Sequence, residues 1–267
     1  MASNARNAPA TELHVEWTSA IAVPQGIELS RPRSGSLRMV EYTGAIIDLD
    51  GTVWRGDDLI DGAREGIDAL REAGVAVTFV SNGTDIDRDA FDERLEELGL
   101  PTDIEVITAA SATAEYLADE HPDAEAFVIG QQPIAAELDA AGISATDVAG
   151  TDDADAETEP ADSGPADVVV AGREPDLNEA LLDDVLAAFD AETTFVATNT
   201  DRTHPIGGEE IIPGAGATIG AIQGMTGTEP TVVGKPAAQM AETAGDRHRD
   251  GQQRGNDHRL GPHRREY

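Results

Sequence analysis

The chain has 267 residues, no cysteine, and 52 acidic against 18 basic residues, for a net charge of −34. The lack of thiols excludes cysteine nucleophiles, disulfides and thiolate-bound zinc, and the negative charge argues against nucleic acid and anionic membranes as partners. No apolar run has the length of a membrane span and the N-terminus lacks a secretory apolar core, so a cytoplasmic protein is expected, with a homo-oligomer left open.

The charge is uneven. Residues 39–245 hold 45 acids and eight bases, a balance similar to that of proteins from salt-loving archaea. Lys235 is the sole lysine, the other 17 bases being arginines.

Residues 1–38 read as a loosely ordered extension, with Met39 as an alternative start. The stretch Gly44–Trp54, GAIIDLDGTVW, opens the ordered chain. Its apolar run Ala45–Ile47 enters Asp48 and Asp50, and Gly51 and Thr52 turn the chain away. On a strand, alternation about Leu49 points both acids to one face. Two carboxylates that close either lie beside a cation or share a proton, which suits metal-assisted chemistry or a nucleophile paired with an acid. An acidic strand-to-turn cap without chemistry gives the same pattern.

A helix is predicted over Asp61–Ala73, then a buried strand over Val75–Val80 that runs into Ser81-Asn82-Gly83-Thr84. Strand–helix–strand order implies a parallel sheet and brings Ser81 and Asn82 to the edge that carries Asp48. A further amphipathic helix covers Asp87–Leu98. Residues 101–207 read as a separate α/β unit. Its strands are Ala126–Ile129, Val168–Val170 and Thr194–Ala197, and its helices Ser111–Ala118, Ile134–Ala141 and Asn178–Phe189. Residues 151–166 form a solvated acidic loop. From Ile211 the chain is core-like again, with a small-residue helix over Pro213–Gly224. Thr231–Val233 then leads into Gly234-Lys235-Pro236. Past residue 245 the apolar period stops, and 246–267 carries six Arg and three His.

The D-L-D-G-T motif at 48–52, Ser81-Asn82 after the next strand, the large α/β insertion and Lys235 in V-G-K-P together resemble the haloacid dehalogenase (HAD) superfamily. Within it they are similar to the NagD-like and p-nitrophenyl-phosphatase-like branch. Thr198-Asn199-Thr200-Asp201 and Pro213-Gly214-Ala215-Gly216 are typical of that branch. The resemblance implies an α/β fold: a Rossmann-like core from 39–100 and 208–245 with an inserted α/β cap over 101–207. It also implies a phosphatase for small phosphate esters such as sugar phosphates, nucleotides or p-nitrophenyl phosphate. Asp48 would attack phosphorus, and Asp50 would protonate the leaving group. Mg²⁺ would sit on Asp48 and Asp50. Thr52, Ser81, Asn82 and Lys235 would hold the phosphoryl oxygens, and Asn199, Asp201 and His204 would face the substrate. Read without the resemblance, Ser81-Asn82 is a helix cap, Lys235 a surface charge and His204 a surface or structural histidine.

The chain departs from the family near its end. The further acidic motif has only Gly245-Asp246 and Asp250 as candidates, with no apolar strand before them. Residues 246–267 fall outside the family pattern, and a one-base frame shift there would yield a family-like segment. The alternative expectation is therefore a catalytically impaired remnant of the fold.

Overall fold

The computed structural model describes residues 44–147, 164–207 and 210–245. The predicted extension, residues 151–163 of the acidic loop and the tail 246–267 lie outside the described residues.

The first strand, β1 (Gly44–Asp48), ends at the first acid. The Leu49 carbonyl then accepts from the N–H groups of Thr52, Val53 and Trp54 at 3.2, 2.8 and 3.2 Å. This tight turn needs a left-handed residue, and Gly51 supplies it with φ 79°. A small hairpin follows, β2 (Trp54–Arg55) and β3 (Asp58–Leu59). Helix α1 (Ala63–Glu72) buries Ala63, Gly66 and Ile67. Next comes β4 (Ala76–Ser81), parallel to β1 with Asp48 opposite Val80. Helix α2 (Arg88–Glu97) starts where the Asp87 side chain accepts from the Ala90 N–H, and it buries Phe91 and Leu95. Strand β5 (Val106–Thr108) completes a three-stranded parallel sheet of order β1-β4-β5.

Thr108 and Ser111 form a reciprocal cap that starts α3 (Ala109–Glu120). The chain continues through β6 (Glu125–Ile129), α4 (Gln132–Ala140), β7 (Ser144–Asp147), β8 (Val168–Ala171), α5 (Glu179–Ala187) and β9 (Thr194–Ala197). A hairpin, β10 (Thr203–Gly207) with β11 (Glu210–Pro213), leads to α6 (Ala215–Thr226) and β12 (Thr231–Val232). The second sheet has order β12-β9-β8-β6-β7, and every pairing in it is parallel. Residues Val168–Ala171 are buried without a break because helices cover both faces, as such sheets require. Buried residues of α3 and α4 pack on one face, and those of α5 and α6 on the other. Residues 238–245 are helical and send Met240 and Ala244 into the core shared by α3 and α4. This is the expected Rossmann-like α/β fold. Among the described residues, no helix is long and apolar enough to cross a membrane.

Two expectations need correction. The sheets do not divide at residues 101 and 207. Val106–Thr108 pairs with β4 in the first sheet, and Thr231–Val232 pairs with β9 in the second. Such short strands carry no periodicity of their own, so only their tertiary partners assign them to a sheet. Ile211 is not a core residue: it is 63% exposed, on the β10–β11 hairpin.

Candidate active site

Four parallel strands deliver their carboxyl-terminal residues to one place, as open α/β sheets do. β1 brings Asp48, and the turn behind it brings Asp50. β4 brings Ser81 and Asn82. β9 leads to Asn199 and Asp201, and β12 to Lys235. Asp48, Asp50, Asn82, Asn199, Asp201, His204 and Lys235 line a single cavity of about 210 Å³.

Asn82 ties these segments together. Its Nδ2 donates to Asp201 Oδ2 at 2.9 Å and to the Lys235 carbonyl at 3.0 Å. Its Oδ1 accepts from the Lys235 N–H at 2.8 Å, and its carbonyl accepts from Asn199 Nδ2 at 2.9 Å. An aspartate would lose the donors and a leucine all of the side-chain bonds. Gly214 and Gly216 let α6 start against this loop, since a Cβ on Gly214 would lie 2.3 Å from the Asp201 carbonyl oxygen. That contact explains the Pro-Gly-Ala-Gly spacing.

Lys235 Nζ donates to Asp48 Oδ1. Burial pushes the Asp48 carboxyl above its ordinary value; Lys235 opposes the rise and Asp50 adds to it. The Asp50 carboxylate is held at both oxygens. Trp54 Nε1 donates to Oδ1 at 2.9 Å and Ser81 Oγ to Oδ2 at 3.0 Å. Ser81 is thus an anchor for Asp50 in this structure, a role distinct from the expected phosphate contact. Thr52 lines neither the 210 Å³ cavity nor the adjoining one of about 760 Å³; its N–H closes the turn. His204 lies where the two cavities meet, with Nε2 3.8 Å from Asp85 Oδ2.

The sequence reading missed Trp54, Asp85, Gln131 and Arg173. Gln131 and Arg173 line the smaller cavity, each two residues past the end of a buried strand and directly after a glycine. The pattern of an apolar run, glycine and a polar residue was the available signal.

The donors suit a hard cation. The turn's backbone bonds converge on the carbonyls of Leu49 and Trp54, leaving the Asp50 carbonyl out of them, and the Asp48 and Asp50 side chains line the same cavity. Oxygen ligands of this kind, completed by substrate phosphate and water, are what Mg²⁺ takes. Among the described residues, no group of three or more His, Asp or Glu side chains is placed to hold a metal. Asp246 and Asp250 lie outside the described residues.

Paired carboxylates and a lysine at the carboxyl edge of parallel strands make a candidate catalytic centre on a Rossmann-like α/β fold. A family model described as haloacid dehalogenase-like hydrolase matches residues 45–144. Sugar-phosphatase AraL of Bacillus subtilis is 36% identical over 211 residues, covering 77% of this chain and 71% of that protein. Phosphoglycolate phosphatase 1A of Arabidopsis thaliana is 32% identical over 242 residues, covering 87% and 67%. Among solved structures, p-nitrophenyl phosphatase from Archaeoglobus fulgidus matches with a TM-score of 0.65 at 34% identity, covering 78% of this chain and 74% of that one. NagD from E. coli shares the fold, with a TM-score of 0.65 at 22% identity, covering 79% and 76%. The chain belongs to the haloacid dehalogenase-like hydrolases.

Proposed function

We propose that this protein is a Mg²⁺-dependent phosphomonoesterase for small esters such as sugar phosphates and p-nitrophenyl phosphate, with Asp48 as nucleophile. The observation that carries this reading is the contact between Lys235 Nζ and Asp48 Oδ1, made across 187 residues of chain in the cavity that also holds Asp50. A structural ion pair has no need of a second carboxylate and an amide hub beside it. The relatives named for sugar phosphates and p-nitrophenyl phosphate support the substrate class.

Asp48 attacks phosphorus and carries the phosphoryl group as an aspartyl-phosphate. Lys235 has three donors, enough to hold Asp48 and a phosphoryl oxygen together. Asp50 gives a proton to the leaving oxygen and then takes one from the attacking water. Bound by the Asp48 carboxylate and the Asp50 carbonyl, Mg²⁺ would offset the charge of carboxylate and phosphate.

A second reading, a remnant that binds phosphate without turnover, draws on the small set of metal-ligating side chains among the described residues. Hydrolysis of p-nitrophenyl phosphate with Mg²⁺ and after EDTA treatment, beside the Asp48→Asn variant, separates the two. The phosphatase reading expects turnover that EDTA abolishes and that Asp48→Asn lowers at least about 10³-fold. Turnover unaffected by Asp48→Asn would refute the mechanism, and a wild-type protein without turnover would favour the remnant.

A further inference from the structure

Trp54 is buried, 5% exposed, and the phosphatase reading gives it no task. Its indole N–H donates to Asp50 Oδ1 at 2.9 Å. The other carboxylate oxygen, Oδ2, faces Ser81 Oγ at 3.0 Å, and Ser81 Oγ itself accepts from the Gly83 N–H at 3.0 Å.

These two contacts differ in kind. An indole N–H can only donate, so Oδ1 remains an acceptor whichever form Asp50 takes. A hydroxyl can donate or turn away. When Asp50 is a carboxylate, Ser81 gives its hydrogen to Oδ2. When Asp50 carries a proton, that proton belongs on Oδ2, the oxygen whose neighbour can release it. Trp54 therefore settles which oxygen is the donor atom as well as the plane of the carboxyl group.

The indole is itself braced. Its ring stacks on Phe91, with centroids 6.5 Å apart and planes 28° apart. The Arg94 guanidinium lies 5.9 Å from the ring centroid. Arg94 also donates to the Gly56 carbonyl and pairs with Asp57 at 3.2 Å, which ties the β2–β3 hairpin to α2. A tryptophan serving only as core would need its N–H satisfied by any carbonyl. Here the partner is one of the reacting carboxylates.

We propose that Trp54, braced by Phe91 and Arg94, is a positioning residue that fixes Asp50 so that Oδ2 delivers the proton to the leaving oxygen. The proposal rests on the phosphomonoesterase reading. In the step concerned, an Asp48 oxygen bonds to phosphorus and the bond from phosphorus to the ester oxygen breaks, its electron pair staying on that oxygen. The proton on Asp50 Oδ2 moves to the same oxygen, releasing an alcohol and leaving Asp50 as a carboxylate.

An alkoxide needs that proton; p-nitrophenolate, a stable anion, does not. Trp54→Phe keeps an aromatic ring and removes the N–H. The measurement is kcat/KM, which reports the first irreversible step, on glucose 6-phosphate and on p-nitrophenyl phosphate. We expect the ratio of the sugar ester to the aryl ester to fall at least about tenfold in Trp54→Phe, within the range general-acid catalysis contributes. Arg94→Met should move the ratio in the same direction by less, and it decides the matter if Trp54→Phe does not fold. A loss equal on both esters makes Trp54 a structural residue only and overturns the proposal, as does an unchanged ratio. Asp48→Asn run alongside keeps the two ideas apart: turnover that survives it sinks the phosphomonoesterase reading, whatever Trp54→Phe does.

Discussion

Gly234 offers the sharpest test of how the site is assembled. Its N–H donates to the Thr198 carbonyl at 2.7 Å, and the next residue is Lys235. A Cβ built there would lie 2.3 Å from the Thr198 oxygen, 2.8 Å from Asn82 Oδ1 and 3.1 Å from Asn199 Cβ. Ordinary contact begins near 3.4 Å, so Gly234→Ala must separate the two loops by about 3.4 − 2.3 = 1.1 Å. Neither neighbour yields freely, because Asn82 Oδ1 is bonded to the Lys235 N–H and β9 is paired on both sides. Overpacking of this kind costs about 1–3 kcal/mol, which lowers Tm by several degrees in a chain of this size. A displacement of about 1 Å at a catalytic group can cost about 10²-fold in rate. Thermal unfolding reads the first effect, and kcat/KM on p-nitrophenyl phosphate reads the second. A Gly234→Ala protein with wild-type Tm and wild-type kcat/KM would show that the loops are loose and that the close approach has no bearing on Lys235.

Gly220 is the opposite case: it is exposed in the middle of α6 and a Cβ there meets nothing within 4 Å. Gly220→Ala should stabilise the protein by about 0.5–1 kcal/mol in urea unfolding, and a lower midpoint would contradict the helix assignment. For Asp48, burial holds the folded-state carboxyl above its ordinary value of 3.8 despite Lys235. The stability tied to its neutral form is complete below 3.8 and is lost as pH rises through the folded-state value. Without metal, Asp48→Asn should therefore raise Tm at pH ~7, with the gain shrinking as the solution is acidified. A gain that is the same at both ends of the range would refute this account. The net charge of −34 predicts self-repulsion that salt relieves. Going from about 0.1 M to about 2 M KCl should raise Tm, and a falling Tm would mean that the acids are already compensated in pairs.

How much of this could be read from the sequence varied with the kind of signal. The turn after Asp48 was legible because glycine and a strand ending in acids have few other uses. The buried strands at Ala126, Val168 and Thr194 announced themselves as apolar runs, and their helices followed from spacing. Val106–Thr108 and Thr231–Val232 could not be placed, because a strand of two or three residues records no preference for one sheet over another. Ile211, on the exposed hairpin that also carries Ile206, misled for a related reason. Isoleucine favours strands, but nothing local tells whether the strand is covered, and Ile206 and Ile211 are 50% and 63% exposed. Asp48, Asp50 and Lys235, the groups proposed to act on the phosphate, were singled out through motif order. The contacts that orient them, Trp54 to Asp50 and Asn82 to Lys235, depend on distances that residue identity alone does not carry.

The Asn82 hub also bears on the order in which the molecule comes together. Its bonds to Asn199 and Lys235 close separations of 117 and 153 residues, and the Lys235–Asp48 contact closes 187. Closure entropy grows only slowly with length, so these spans cost timing more than stability. Strands and helices built from neighbouring segments can form before any of them, whereas none of them can form before the strands. A chain emerging from denaturant would regain its helical signal first and its chemistry last. The proposed hydrolytic centre is, in this sense, a late proof that both sheets have found their register.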